Sequence, residues 1–330
     1  MRIDHIRQRL RALGAKPCHE ERLLRAWTQG RPLDDFEAAH APPLAVRAVL
    51  PALTFELESL ARLRAEHAGE DGSERLLLEL ADGQTVESVL LPRDGLCVST
   101  QVGCAVGCVF CMTGRDGLRR QLGGAEIVAQ VALARKRRTV KKVVFMGMGE
   151  PAHNMDNVLE AIELLGTAGG IGHKNLVFST VGDRRVFERL PRGKVKPALA
   201  LSLHSTRAEL RAELMPHAPR IDPGELVEAA DAYSRATGYP IQVQWTLIEG
   251  VNDGDDELAG IVRLLAGKYA VMNLIPYNAV DGLGYRRPAP ERAAAMSLHL
   301  YKHGILAKLR NSAGQDIDGG CGQLRVRAGT

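Results

Sequence analysis

Apolar residues recur at three- and four-residue steps through "RIDHIRQRLRAL", "EERLLRAWTQG" and "LAVRAVLPALTFELESLARLRAEH", which predicts short amphipathic helices. Residues 1–66 are therefore expected to form a helical accessory region. Two β-like runs follow in "ERLLLELADGQTVESVLLP", around Asp82 and Gly83, a dipeptide that tolerates the positive φ of a tight hairpin turn. A β-hairpin over residues 67–93 should bridge to the main domain, residues 94–330. There the runs "LCVSTQ", "KKVVFMG", "NLVFST", "PALALSL", "IQVQWTLI" and "AVMNLIP" alternate with helical stretches. Apolar strands separated by helices imply parallel pairing with right-handed crossovers. Six βα units are too few for a closed eight-stranded barrel, so the expected fold is α/β, a partial (β/α)6 barrel in preference to an open doubly wound sheet. Either architecture gathers ligands at the C-terminal ends of its strands.

Composition agrees with a soluble globular protein: 330 residues, 45% hydrophobic and 25% charged. No uninterrupted apolar run is long enough to cross a bilayer and the N-terminus is charged throughout, so a cytoplasmic protein without a membrane partner is expected. The net charge of +4 permits a polyanionic partner without requiring one. Between Arg115 and Lys142 nine cations face only Asp116 and Glu126, which reads equally as an RNA-contacting surface or as a solvated helix face. With 4% aromatics, affinity for RNA would rest mainly on phosphates.

The cysteines carry the chemistry. Of six, Cys104, Cys108 and Cys111 stand at C-x3-C-x2-C spacing in "GCAVGCVFC", with Cys18, Cys97 and Cys321 elsewhere. No histidine lies between His67 and His153 to complete a zinc site, which leaves Cys97 as the candidate fourth ligand of a zinc ion or a fully ligated iron-sulfur cluster. Three thiolates on a cubane instead leave one iron open to a substrate's amino and carboxylate groups. The other expected strand ends carry polar or small residues. "FMGMGEP" has Gly147 and Gly149, which let a ligand approach the backbone, and Glu150, which can accept an ammonium group. Ser179, Ser202, His204 and Asn278 close three further strands. Each alone reads as an ordinary strand end; their recurrence at successive ends marks a site.

The cysteine spacing, with Phe110 before the last thiol, resembles the radical S-adenosylmethionine (SAM) superfamily. The ordered motifs "CVSTQVGCAVGCVFC", "VVFMGMGEP", "LSLHS", "GVND", "NLIPYN" and "DIDGGCGQL", over roughly residues 75–327, resemble the RlmN/Cfr family of radical SAM RNA adenine methyltransferases. This resemblance implies one 4Fe-4S cluster on Cys104, Cys108 and Cys111, and SAM contacts from Gly149, Glu150, Ser179, Ser202, Leu203, His204 and Asn278. It also implies that Cys321 becomes methylated, that Cys97 resolves the adduct with the base through a transient disulfide, and that Glu87 is the proton acceptor. The implied partners are ribosomal or transfer RNA and a low-potential electron donor such as flavodoxin or ferredoxin. Adenine carbons 2 and 8 are electron-poor, so methyl-cation transfer to them is unfavourable and a radical route is required; carbon 2 is the expected position and carbon 8 the alternative. From another class, the alternative is a non-catalytic zinc or iron-sulfur RNA-binding protein. The chain departs from the family in its short accessory region and in Gln121, where asparagine is usual; Cys18 matches nothing.

Overall fold

A computed structural model describes residues 1–280 and 282–327. The accessory region forms α1 (Ile3–Ala12), α2 (Pro17–Thr28) and α3 (Leu44–Ser59), burying Ile3, Ile6 and Leu10, then Leu23, Leu24 and Trp27, then Val46, Leu50, Leu53 and Leu57. The third helix stops short of His67, where the apolar spacing carried it. Charged Arg62, Arg64 and Glu66 alternate with Leu63 and Ala65, and this period-two pattern folds as β1 (Arg62–Ala68), an edge strand with its charges outward.

β1 pairs with β2 (Glu74–Glu79), which turns at Gly83 (φ 79°) into β3 (Thr85–Leu91), so the expected hairpin is the inner part of a three-stranded antiparallel ribbon. β3 then pairs with β4 (Gly95–Cys97). The run "LCVSTQ" divides: β4 joins the main sheet, whereas β5 (Gln101–Gly103) pairs with β6 (Leu118–Gln121) as a separate ribbon framing the cysteine loop.

Six further units follow: α4 (Gly124–Arg135), β7 (Lys142–Phe145), α5 (Met155–Gly166), β8 (Leu176–Thr180), α6 (Arg184–Arg189), β9 (Ala198–Ser202), α7 (Ala208–Leu214), α8 (Pro223–Thr237), β10 (Ile241–Leu247), α9 (Asp255–Leu265), β11 (Ala270–Pro276), α10 (Pro290–Lys302) and β12 (Ala307–Leu309). The sheet order is β1-β2-β3-β4-β7-β8-β9-β10-β11-β12, antiparallel up to β4 and parallel from β4 onward. β1 and β12 are its two edges and no pairing closes it among the described residues, which is the open, partial barrel expected, with β12 as a seventh parallel strand. "AKL" was too short and too polar to read as a strand; it pairs because β11 offers Met272, Asn273 and Leu274 as a template.

α4 is apolar on nearly every side because the sheet and helices α2 and α3 enclose it. The cations at its end are occupied within the chain. Arg135 donates to the carbonyls of Thr28 (2.9 Å) and Gly169 (2.8 Å), Lys136 pairs with Glu58 (2.6 Å), and Arg138 donates to Gly72 (3.0 Å) and Leu91 (2.7 Å). Arg137 bridges Glu66 and Glu74, and Lys141 pairs with Asp94 at 2.8 Å. These contacts tie the helices and the ribbon to the barrel, while Lys136, Arg137 and Lys141 stay exposed.

Gly103, at the end of β5, has φ 77°, and a Cβ there would lie 2.0 Å from the carbonyl oxygen of Gly117. Gly103→Ala is expected to cost at least about 2 kcal/mol, from left-handed strain and a collision with rigid backbone. A lowered denaturant midpoint together with loss of visible-region absorbance in protein purified anaerobically would show this; a wild-type midpoint would contradict it.

Candidate functional site

The cysteine loop runs from β5 to the 3-10 turn Met112–Gly114 and is fixed from three directions. Its Cys104 amide donates to Gly117 (3.1 Å), the Val109 amide to Leu214 at the end of α7 (3.1 Å), and the Met112 amide to Gly322 of the C-terminal segment (2.7 Å). Cys104, Cys108 and Cys111 open onto a cavity of about 160 Å³ at the C-terminal ends of the parallel strands. Gly149, Glu150, Ser179, Ser202 and His204 line the same cavity, as does Cys321. A larger groove of about 760 Å³, between α1, α5 and residues 189–195, lies on the outer side of the helices, and its charges pair with one another, Arg189 with Asp156 at 2.6 Å and Lys194 with Glu163 at 3.1 Å.

Low polarity dominates the cavity's electrostatics. Burial pushes the Cys104 thiol up to about 12 and raises Cys108 and Cys111, so these thiols ionise only when a cation compensates them. Burial also brings the Glu150 carboxyl up to about 7, although its oxygens accept from the amides of Ala152 and Val181, both at 3.0 Å. His204, at φ 60°, is pushed down to about 3 by burial and by the nearby charge of Arg211, and stays neutral. Its Nδ1 accepts from the Thr246 amide at 2.9 Å, which puts the proton on Nε2, and its ring packs edge-on to Phe110 with centroids 4.9 Å apart.

Four expected site residues stand outside the lining. Leu203 is buried, and its amide donates to the Gln244 carbonyl at 3.1 Å. Asn278 donates from Nδ2 to the Ser312 hydroxyl (3.0 Å) and to the carbonyl of Cys321 (2.9 Å), while its buried Oδ1 has no partner. Cys97, on β4, is raised by burial first and then by the charge of Cys321, so the two residues are near enough to interact although more than two hundred residues separate them in sequence. All six cysteines are free thiols.

Glu87 has no solvent exposure and sits within the ribbon. Its carboxylate accepts from the buried Arg75 guanidinium, from Arg327 Nε (2.8 Å) and from the Arg325 amide (2.9 Å). Arg75 also donates to the Ile317 carbonyl (2.5 Å), and Asp71 and Asp316 exchange further bonds between the ribbon and residues 314–316. The segment bearing Cys321 is thus clasped by β2 and β3.

Sequence reading missed two functional arginines, Arg75 and Arg211. Arg211 is buried on α7, lowered to about 10 by burial yet held charged by Cys108 and Glu150; it donates to the Val181 carbonyl, and its Nε has no partner. Only its burial, invisible in "RAELRAEL", distinguishes it from a surface helix cation.

Residues 98–263 match the family model of the radical SAM superfamily. The chain belongs to that superfamily. A radical SAM methyltransferase from Sphaerobacter thermophilus has the same fold, with a TM-score of 0.86, 35% identity and 98% of each chain covered. Proteins named "probable RNA methyltransferase" from Aromatoleum aromaticum and Azoarcus are 75% and 74% identical, over 99% of this chain and 93% and 95% of theirs. Radical SAM membership implies a 4Fe-4S cluster and SAM, and the donor set of the cavity fits both: three thiols that need a cation and a carboxyl for an ammonium group, with an orphaned amide oxygen on Asn278, which bonds the Cys321 carbonyl. Among the described residues no helix is long and apolar enough to cross a membrane.

Glu87→Ala would leave Arg75 buried without its partner, at a cost of about 3–5 kcal/mol, and would release the segment from 312 onward. Faster hydrogen exchange across residues 312–325 and faster alkylation of Cys321 are expected, with a smaller effect for the half-exposed Arg327→Ala. Unchanged exchange in Glu87→Ala would refute the clasp.

Proposed function

We propose that this protein is a radical SAM RNA methyltransferase of the RlmN/Cfr type, which methylates carbon 2 of an adenosine in ribosomal or transfer RNA through a methylated Cys321. The observation that carries this reading is the placement of Cys321, from the far end of the chain, in the lining of the three-thiol cavity, with Cys97 near enough to feel its charge. The names of the curated relatives supply the substrate class, and the family motifs supply the base and the carbon.

In this reading Cys104, Cys108 and Cys111 hold the cluster, with Arg211 balancing the charge of Cys108. When bound and reduced, the cluster supplies the electron that cleaves SAM to a 5'-deoxyadenosyl radical. Glu150 accepts the ammonium of SAM, Asn278 Oδ1 a donor of the same ligand, and Ser179, Ser202, the Leu203 backbone and His204 complete its contacts. Cys321 is the nucleophile that takes a methyl group from a first SAM. Once the methylene carbon joins Cys321 sulfur to adenine, the Cys97 thiolate attacks that sulfur: the sulfur–methylene bond breaks, its electron pair passes to the adenine-bound carbon, which takes up a proton to become the methyl group, and a Cys97–Cys321 disulfide remains that two electrons must reduce before another turnover. Glu87 would have to release Arg327 or the Arg325 amide to act as base; held as it is, it anchors the Cys321 segment. A zinc site would need Cys97 as fourth ligand, and Cys97 is not among the residues that line the three-thiol cavity.

Cys97→Ala expressed with cellular RNA should accumulate a covalent protein–RNA species, with an adenine nucleotide on the peptide containing Cys321 by mass spectrometry. Free methyladenosine at wild-type yield from this variant would sink the role of Cys97, and Cys321→Ala should give no adduct. A second expectation concerns pH. Because burial holds Glu150 near 7, its charged form is lost as pH falls through that value, and SAM affinity should weaken by up to about tenfold per pH unit below it. Glu150→Gln should bind weakly and without this dependence; a flat wild-type profile between pH 6 and pH 8 would remove Glu150 from the ammonium site.

A further inference from the structure

The motif "GVND", residues 250–253, supplies no side chain to the cavity lining, yet its asparagine is completely buried. Asn252 lies in the connection between β10 and α9 and uses its side chain in full. Its Nδ2 donates to the carbonyls of His204 and Thr246, both at 2.8 Å, and its Oδ1 accepts from the Ile248 amide at 2.8 Å. The Asn252 carbonyl also accepts from the Trp245 indole at 3.2 Å, so the turn is anchored to β10 whatever side chain stands at 252.

His204 needs that support. Its φ of 60° is a left-handed conformation, which a residue other than glycine keeps only where the surroundings over-determine it. Three groups of the same connection do so. The Thr246 amide holds Nδ1 and Asn252 holds the carbonyl. Glu257, wholly buried in the first turn of α9, accepts from the Ser205 hydroxyl and from the Thr206 amide (2.7 Å), which fixes the chain just beyond. With Nδ1 occupied, Nε2 is the ring nitrogen left to the cavity that His204 lines, and among the described residues nothing accepts from it. Neither Asn252 nor Glu257 lines the cavity, so what they contribute there passes through His204.

We propose that Asn252 is a positioning residue for SAM: through the His204 carbonyl it holds the strained peptide that points the His204 Nε2–H at an acceptor atom of the ligand. The inference rests on the reading of His204 as a SAM contact and extends it to a residue that the ligand never meets. The place requires an amide, because one short side chain must donate to two carbonyls and accept from an N–H. Aspartate would turn an oxygen toward two carbonyl oxygens, and an apolar residue of similar size would leave all three groups unmet. Without the bond from Nδ2, the left-handed peptide relaxes toward the common φ and carries the ring away from the cavity.

The test is a double-mutant cycle in ligand affinity. Anaerobically reconstituted holoenzyme is dialysed against radiolabelled S-adenosylhomocysteine, which has the adenosine, ammonium and carboxylate groups of SAM but no methyl group to transfer. His204→Ala and Asn252→Ala should each raise Kd by about tenfold, the size of one lost hydrogen bond, and the double variant should bind no more weakly than either alone. Additive losses, about hundredfold in the double variant, would mean that Asn252 acts otherwise than through His204 and would overturn the proposal. So would wild-type affinity in folded Asn252→Ala. Cluster absorbance and melting temperature report whether each variant is folded. An Asn252→Ala protein that fails either is replaced by Asn252→Asp, which keeps the acceptor for the Ile248 amide and should weaken binding equally. Unchanged affinity in His204→Ala would strike the assignment of His204 as a SAM contact, and the proposal with it. Failure of the wild type itself to bind would instead strike the function reading.

Discussion

A carboxylate with no exposure, Glu87, joins the ribbon to the C-terminal segment, and the arrangement of the site depends on it. Cys321 lies in a glycine-rich stretch: Gly322 has φ 86°, and a Cβ there would press on the Phe110 carbonyl at 2.9 Å. Such a stretch has no intrinsic preference for one conformation, so its position must be imposed from outside. Glu87, with Arg75 and Arg327, imposes it on the ribbon side; Asn278, Thr113 and the Met112 amide do so on the barrel side. The ion pair is buried, so its value lies less in net stability than in specifying one placement of a mobile thiol.

The lining of the cavity is poor in accessible charge. Burial keeps the three loop thiols and Glu150 from ionising easily, and Arg211 is the cation held beside them. The surface leads toward cationic ligands: an iron cluster for the thiols and an ammonium group for the carboxyl.

The six main parallel strands were legible because each is an apolar run buried on both faces, and β8 and β9 show this most clearly. The cysteine loop was legible because three thiols at that spacing have few other uses. β1 was hidden by helical neighbours whose apolar spacing ran into it, and β12 by its three-residue length, since its pairing is supplied by β11. In the basic stretch a sequence shows charges but not their partners, and Glu58, Glu66, Glu74 and Asp94, which pair with those cations, come from elements distant in the chain. Arg75 and Arg211 could not be found at all, because a buried arginine differs from an exposed one only in what packs around it.

The most direct measurement is nucleoside mass spectrometry of ribosomal and transfer RNA from cells with and without this protein. A methyladenosine carrying its methyl group on carbon 2, present with the wild-type protein and absent both from the deletion and from cells expressing Cys321→Ala, is the predicted result. Identical methyladenosine profiles in all three, or a methyl group that survives the loss of Cys321, would contradict it.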